Sequence, residues 1–282
     1  MINWLGNKLK YLNYLEHYSR NFETIIDPMM GSGNILVELI KEHKIIGNDI
    51  IKLMPNIYSN YSNFCFKEKD FKRIISRWKF DKKKHYYDFR DYWNGKYLRD
   101  DYNKDFLIET FLLVKMCSNS VVRFNLKGEF NSGFRGLSGN PFFEKKKINE
   151  WEEYLEKIKE NLLKNDSTFF VCDVLKFLNF LKFDINNSFF IFDPPYTLQE
   201  GCYSPKLYNR ATESRIFDFI LRENVNFVYF NFLSREEDEH ENLKRFVDDG
   251  RFNVINLKEK SATGQNRKGT AKINEVLITN LG

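Results

Sequence analysis

Two stretches of the chain alternate short apolar runs with amphipathic ones, and the stretch between them does not. In residues 23–51, ETIIDPMM reads as a strand, GSG as a tight turn, NILVELIKEHK as an amphipathic helix and KIIGNDI as a second strand. From 166 to 282, STFFVCD, SFFIFD, VNFVYFNF, RFNVINLK and NEVLITN have the composition of strands. The helical patterns ESRIFDFILREN and HENLKRFVDDG lie between some of them. Strands separated by helices need crossover connections, so the sheet should be mostly parallel. No helix divides the last two strands, which predicts an antiparallel edge pair there. Residues 52–165 are rich in Lys, Tyr, Asn and Asp, with helical periodicity in NKDFLIETFLLVKMCSN and INEWEEYLEKIKENLLK and no internal repeat. The expected architecture is an α/β sheet domain built from 1–51 and 166–282, interrupted by a largely helical insert over 52–165.

The apolar run SFFIFD stops at Asp193-Pro194-Pro195-Tyr196. Two prolines cannot continue a central strand, because a donor is lost and φ is locked. Asp193 and the Tyr196 ring are therefore presented just past a strand's carboxyl end, the edge of a parallel sheet where ligands sit. A carboxylate and a backbone carbonyl on rigid prolines suit two hydrogen bonds from one exocyclic amino group. The tyrosine offers a face to a planar base, which would first have to leave its duplex at a cost of roughly a few kcal/mol. A proline-rich turn capped by an aspartate is the purely structural alternative.

DPMMGSG follows a strand and opens a helix, which makes Asp27, Gly31 and Gly33 cofactor-binding candidates. The glycines would let backbone amides approach a ligand closely. Asp49 ends the next strand, where an acidic side chain can accept hydrogen bonds from ribose hydroxyls. A glycine turn of this kind also serves structure alone; its pairing with Asp49 favours a nucleoside site. GxxxxGK[ST] is absent, and Leu36 stands at the third glycine of GxGxxG. A glycine turn without pyrophosphate machinery suits a cofactor lacking phosphates, of which S-adenosylmethionine is the obvious candidate.

Within the insert, RFNLKGEFNSGFRG (123–136) carries a hairpin signal around Leu126-Lys127-Gly128. It bears Arg123, Lys127 and Arg135, with the amides Asn125 and Asn131. A net charge of +5 permits a polyanionic partner without requiring one. No apolar run reaches 18 residues, and MINWLGNKLKYL lacks the core of a secretory signal. Cys65, Cys117, Cys172 and Cys202 form no CxxC pair, and the four histidines have no ligand-like spacing, so no metal site is expected. A reducing cytoplasm is the simplest home for these cysteines; a monomer or weak dimer in a bacterial cell or phage-infected host is the expectation.

WLGNKLKYL, DPMMGSG, GNDI, NSVVRFNLKGEFNSGFRG, VCD, FDPPY and RKGTAKINEVLITN, in that order, span nearly the whole chain. Together they resemble the Dam-type DNA adenine N6-methyltransferases. The resemblance implies a Rossmann-like methyltransferase sheet with an inserted, mainly helical target-recognition domain carrying a β-hairpin. By that resemblance Trp4 and Lys8 contact S-adenosylmethionine, Asp49 its ribose and Asp173 its adenine. Asp193 faces the cofactor's methionine end and the target amino group, with Pro194, Pro195 and Tyr196 completing the catalytic motif and Tyr196 stacking on a flipped adenine. Arg123 and its hairpin read the major groove of double-stranded DNA, and Asn119 lies near the opened base step. The activity implied is site-specific adenine methylation, within GATC on the likeness of RFNLKGEFN.

Three positions depart from the family pattern. Met29 stands where phenylalanine is usual, Gly133 where proline is, and Leu137 where an aromatic is. The last two bear on the recognised sequence. Methylation of cytosine N4, of RNA or of a protein amide, and a non-catalytic DNA-binding relative, are the alternatives.

Overall fold

The structure is a computed structural model that describes residues 8–61, 63–80, 83–125, 127–136, 145–196, 208–235, 238–262 and 271–282. By internal contacts the chain forms two compact units. The first comprises residues 1–10, 31–42 and 51–171; the second comprises 11–30, 43–50 and 172–282.

The second unit is built on strands. These are β1 (Thr24–Asp27), β2 (Lys44–Asp49), β4 (Ser188–Phe192), β5 (Asn226–Arg235), β6 (Asp238–Glu239), β7 (Asn253–Ala262) and β8 (Ala271–Thr279), with β3 (Thr168–Val171) assigned to the first unit. The order is β2-β1-β4-β5-β8-β7, with β6 paired to β5. β2, β1, β4 and β5 are parallel, and Ile26 lies between Ile46 and Phe190 in register. β8 runs antiparallel to β5 and β7 antiparallel to β8, so the expected antiparallel pair exists. This is a Rossmann-like, mixed α/β sheet. Every residue of β4 is buried, as its unbroken Ser-Phe-Phe-Ile-Phe run requires of a strand covered on both faces. Helices α1 (Leu12–Ser19), α8 (Val174–Phe180), α9 (Arg210–Glu223) and α10 (Glu241–Asp248) belong to this unit. α9 starts three residues before ESRIFDFILREN, because Asn209 caps it by accepting from the Ala211 and Thr212 amides.

The first unit is mostly helical, as the periodicity of the insert predicts: α2 (Asn34–Leu39), α3 (Leu53–Tyr61), α4 (Glu68–Trp78), α5 (Lys83–Leu98), α6 (Lys104–Met116) and α7 (Lys145–Lys164). α2 differs from the amphipathic helix read in the sequence. It ends at Leu39, and five of its six residues are buried, because Ile35, Leu36, Val37 and Leu39 leave it no polar face. α7 caps α4: Glu152 accepts from the Glu68 amide at 2.6 Å and Glu156 from the Phe66 amide at 2.5 Å. Trp93 is fully buried, stacked between Tyr97 and Phe106, and its Nε1 donates to Thr110 at 2.8 Å.

The glycine-turn segment is a hairpin. The Asn125 amide donates to Glu129 O at 2.9 Å, the Asn131 amide to Arg123 O at 3.0 Å, and Gly128 takes φ 76°. Asn94 of α5 holds its far arm, donating to Phe130 O at 3.1 Å and accepting from the Phe130 amide at 2.8 Å. Tyr86 adds a bond to Ser132 O at 2.8 Å. Asn94→Ala strands two buried backbone groups of Phe130, at a cost of about 1–3 kcal/mol each. The urea midpoint should fall with an unchanged slope.

Candidate active site

Parallel strands place their carboxyl ends along one edge, and three adjacent strands here finish in aspartate. Asp27 closes β1, Asp49 closes β2, and Asp193 follows the last residue of β4. In the order β2-β1-β4 the three carboxyl groups converge. Asp27 is buried, and its Oδ1 accepts from the Met29 amide at 3.0 Å. Burial drives its carboxyl well above the ordinary carboxylate value, and the charges of Asp193 and Asp49 add to the rise against the Met29 hydrogen bond. Crowding of three carboxyl groups in a desolvated place therefore favours the neutral form of Asp27.

Asn48, one residue before Asp49, ties the strand ends together. Its Nδ2 donates to Pro28 O at 2.9 Å and to Cys172 O at 3.1 Å, and its backbone carbonyl accepts from the Met30 amide at 2.8 Å. Its Oδ1 is buried with no hydrogen-bond partner among the described residues. Ile50 follows Asp49 with 43% of its surface exposed, an apolar side chain beside the acidic one. Asp173 is the N-cap of α8, its Oδ1 accepting from the Leu175 and Lys176 amides at 3.1 Å each.

Past β4, Pro194 is buried while Asp193, Pro195 and Tyr196 are partly exposed. Tyr196 packs its ring on Phe232, centroids 4.3 Å apart at 60°, and donates to Glu275 Oε1 at 3.2 Å. The hydroxyl lies deep: burial, then the charges of Asp193 and Glu275, push the phenol well above its ordinary value, so it stays a donor.

The remaining sequence candidates lie in the first unit. Lys8 is buried, Gly31 and Gly33 take φ 54° and 65° in the turn before α2, and Trp4 lies outside the described residues. Asn119 follows α6 in the left-handed region at φ 58°, with Ser120 beside it at 52°. Arg123, Lys127, Asn131 and Arg135 are exposed on the hairpin, and Asn125 is half-buried, its Oδ1 accepting from the Lys127 and Glu129 amides. Leu126 and Leu137 lie outside the described residues. Among the described residues, no three His, Cys, Asp or Glu side chains gather closely enough to hold a metal ion, and no helix is long and apolar enough to cross a membrane.

The family model for D12 class N6 adenine-specific DNA methyltransferases matches residues 4–262. The chain belongs to that family. This methyltransferase is adenine-specific, takes DNA as substrate and draws its methyl group from S-adenosylmethionine. Over 220 residues it is 21% identical to Type II methyltransferase M.MjaIII of Methanocaldococcus jannaschii, covering 69% of this chain and 68% of that one. Among solved structures it is similar to SMU.1697c of Streptococcus mutans, assigned as a methyltransferase and crystallised with SAH. That likeness has TM-score 0.37 and 13% identity, covering 96% of this chain and 97% of that one. The strand-end residues of the methyltransferase fit its donor: S-adenosylmethionine carries a sulfonium and an ammonium, and Asp27, Asp49 and Asp193 are acceptors whose crowding a cation relieves.

Sequence reasoning found these aspartates by their places after strands. It assigned no role to Asn48, Ile50, Tyr11, Phe232 or Glu275. A glutamate directly before the apolar Val276-Leu277-Ile278 run is the sequence feature that marks the last position, without saying what it does.

Proposed function

We propose that the methyltransferase flips an adenine out of duplex DNA into the Asp193–Tyr196 motif and methylates its N6, within GATC. The observation that carries this reading is the meeting of Asp27, Asp49 and Asp193 at neighbouring strand ends beside a partly exposed Tyr196. Asp27, Asp49 and Asp193, with Asp173, would hold S-adenosylmethionine. That cofactor supplies, when bound, a methyl group already activated by its sulfonium. The protein's task is to position a weak nucleophile, since the adenine amino lone pair is delocalised into its ring. Hydrogen bonds accepted by Asp193 and the Pro194 carbonyl would favour a more tetrahedral nitrogen and aim that lone pair. Tyr196 would stack on the base.

On this reading residues 1–51 and 166–282 form the catalytic domain and 52–165 the target-recognition domain. The exposed cations and amides of the hairpin, Arg123, Lys127, Asn131 and Arg135 with Asn119 and Asn125, would face the DNA. Arg123 would read a guanine edge, the commonest specific arginine contact. Arg123→Ala is expected to cost about 1–3 kcal/mol of discrimination at one base pair while the turnover of bound DNA persists. Long-read detection of modified adenine in plasmid DNA incubated with the protein and S-adenosylmethionine reports the context directly. Modification at GATC supports the assignment, and consistent modification at another sequence replaces it.

A further inference from the structure

The β8 carboxylate Glu275 directly precedes three buried apolar strand residues, Val276, Leu277 and Ile278. It is itself 8% exposed. Burying a carboxylate there opposes folding unless hydrogen bonds compensate, and an apolar residue would serve packing better. Two hydroxyls compensate it. Tyr196 donates to Oε1 at 3.2 Å and Tyr11 to Oε2 at 2.7 Å.

The surrounding register explains why both tyrosines arrive at one place. Glu275 and Phe232 are direct partners across β5 and β8, so their side chains leave the same face of the sheet. The Tyr196 ring lies on Phe232 while its hydroxyl reaches Glu275. Phe230, two residues along β5 and therefore on that face, stacks on the Tyr11 ring at 5.8 Å and 18°. Tyr196 thus leaves β4 and is fastened at two points to the neighbouring strands, by ring contact to β5 and by hydrogen bond to β8. The hydrogen bond at the hydroxyl fixes the direction of the ring axis, and the Phe232 contact limits rotation of the ring about that axis.

We propose that Glu275 is a positioning residue for methyl transfer, holding the Tyr196 ring at the angle at which the target base stacks, with Tyr11 as its counter-support. The proposal rests on the reading that the Asp193–Tyr196 motif receives the base. A ring whose axis is free to swing would still admit DNA but would hold the amino nitrogen off the line of attack, and small misplacements of reacting atoms are costly in rate. Glu275 therefore acts on turnover of the bound complex, through Tyr196, and touches no reacting atom.

The test is a double-mutant cycle on the full chain, using a duplex oligonucleotide that the wild-type protein methylates and measuring single-turnover rate and DNA affinity separately. Glu275→Ala and Tyr196→Phe should each slow methylation by roughly 10–100-fold with DNA affinity within about threefold of wild type, and the double variant should be no slower than the slower single one. Glu275→Gln, whose amide oxygen still accepts from Tyr196, should recover most of the rate. If Glu275→Ala does not fold, Glu275→Met, which fills the same space without an acceptor for Tyr196, replaces it in the cycle and keeps the non-additivity test. Losses that multiply in the double variant, an unchanged rate in Glu275→Ala, or a loss confined to DNA affinity would overturn the proposal. Asp193→Ala run in parallel separates the two levels. If it methylates at the wild-type rate, the reading of the motif fails; if it is inactive and the cycle is additive, only the role of Glu275 fails.

Discussion

Asp193→Ala is expected to reduce methylation by about a hundred- to a thousand-fold while S-adenosylmethionine and duplex DNA still bind. The expectation follows from what a single transfer from a sulfonium demands. The electrophile comes activated, so the barrier left to the protein is alignment, and alignment of two reactants can supply roughly 7–11 kcal/mol. Removing one preorganised group aimed at a reacting centre costs about 10²–10³-fold in turnover. Asp193 stands at the end of β4, held by the two rigid prolines that follow it. Asp193→Asn is the informative companion: its amide oxygen keeps one acceptor, so a partial recovery separates hydrogen bonding from charge. Unchanged methylation by the alanine variant would remove Asp193 from the reaction.

Asp27→Asn should move two properties in opposite directions. In the ligand-free protein the Asp27 carboxyl sits well above its ordinary value, raised by burial and by Asp193 and Asp49. A carboxyl raised in the folded state binds its proton more tightly there than in the unfolded chain. Its contribution to stability is complete below the unfolded value and is lost as pH rises through the folded one. Asparagine keeps the acceptor for the Met29 amide and removes the charge. The variant's melting temperature without ligand should therefore equal or exceed that of the wild type at neutral pH and lack the decline with rising pH. Affinity for S-adenosylmethionine should fall, because truncating one side of a buried charge pair costs about 2–5 kcal/mol, at least thirtyfold in Kd. Calorimetric melting across pH and titration of the cofactor check the two halves. A variant both less stable and equally tight would show that Asp27 is a structural cap.

Much of the fold was legible because its strands are short, apolar and bounded by turn residues. SFFIFD, framed by Asn187 and two prolines, admits little except a buried strand, and it is one. The helix after GSG was read too long, since Lys41 and Glu42 looked like a polar face and instead lie in the turn that follows. The start of α9 was missed because a lone asparagine cap lies outside the periodic pattern. At the site, Asp27, Asp49 and Asp193 could be found one at a time, each by its position after a strand. Their convergence depends on the order β2-β1-β4, which sequence order hides. Glu275 was invisible in function for the same reason: it lies 79 residues from Tyr196 along the chain, and only the β5–β8 register brings them together.

The central claim is that an amino nitrogen of adenine in duplex DNA is gripped beside Asp193 and methylated there. Chromatography of the nucleosides released from duplex DNA, after incubation with the protein and labelled S-adenosylmethionine, tests it most directly. The account predicts label in N6-methyl-2′-deoxyadenosine alone, competed away by unlabelled duplex and not by RNA. Label in N4-methyl-2′-deoxycytidine, label lost only to RNA competitor, or none at all would contradict it.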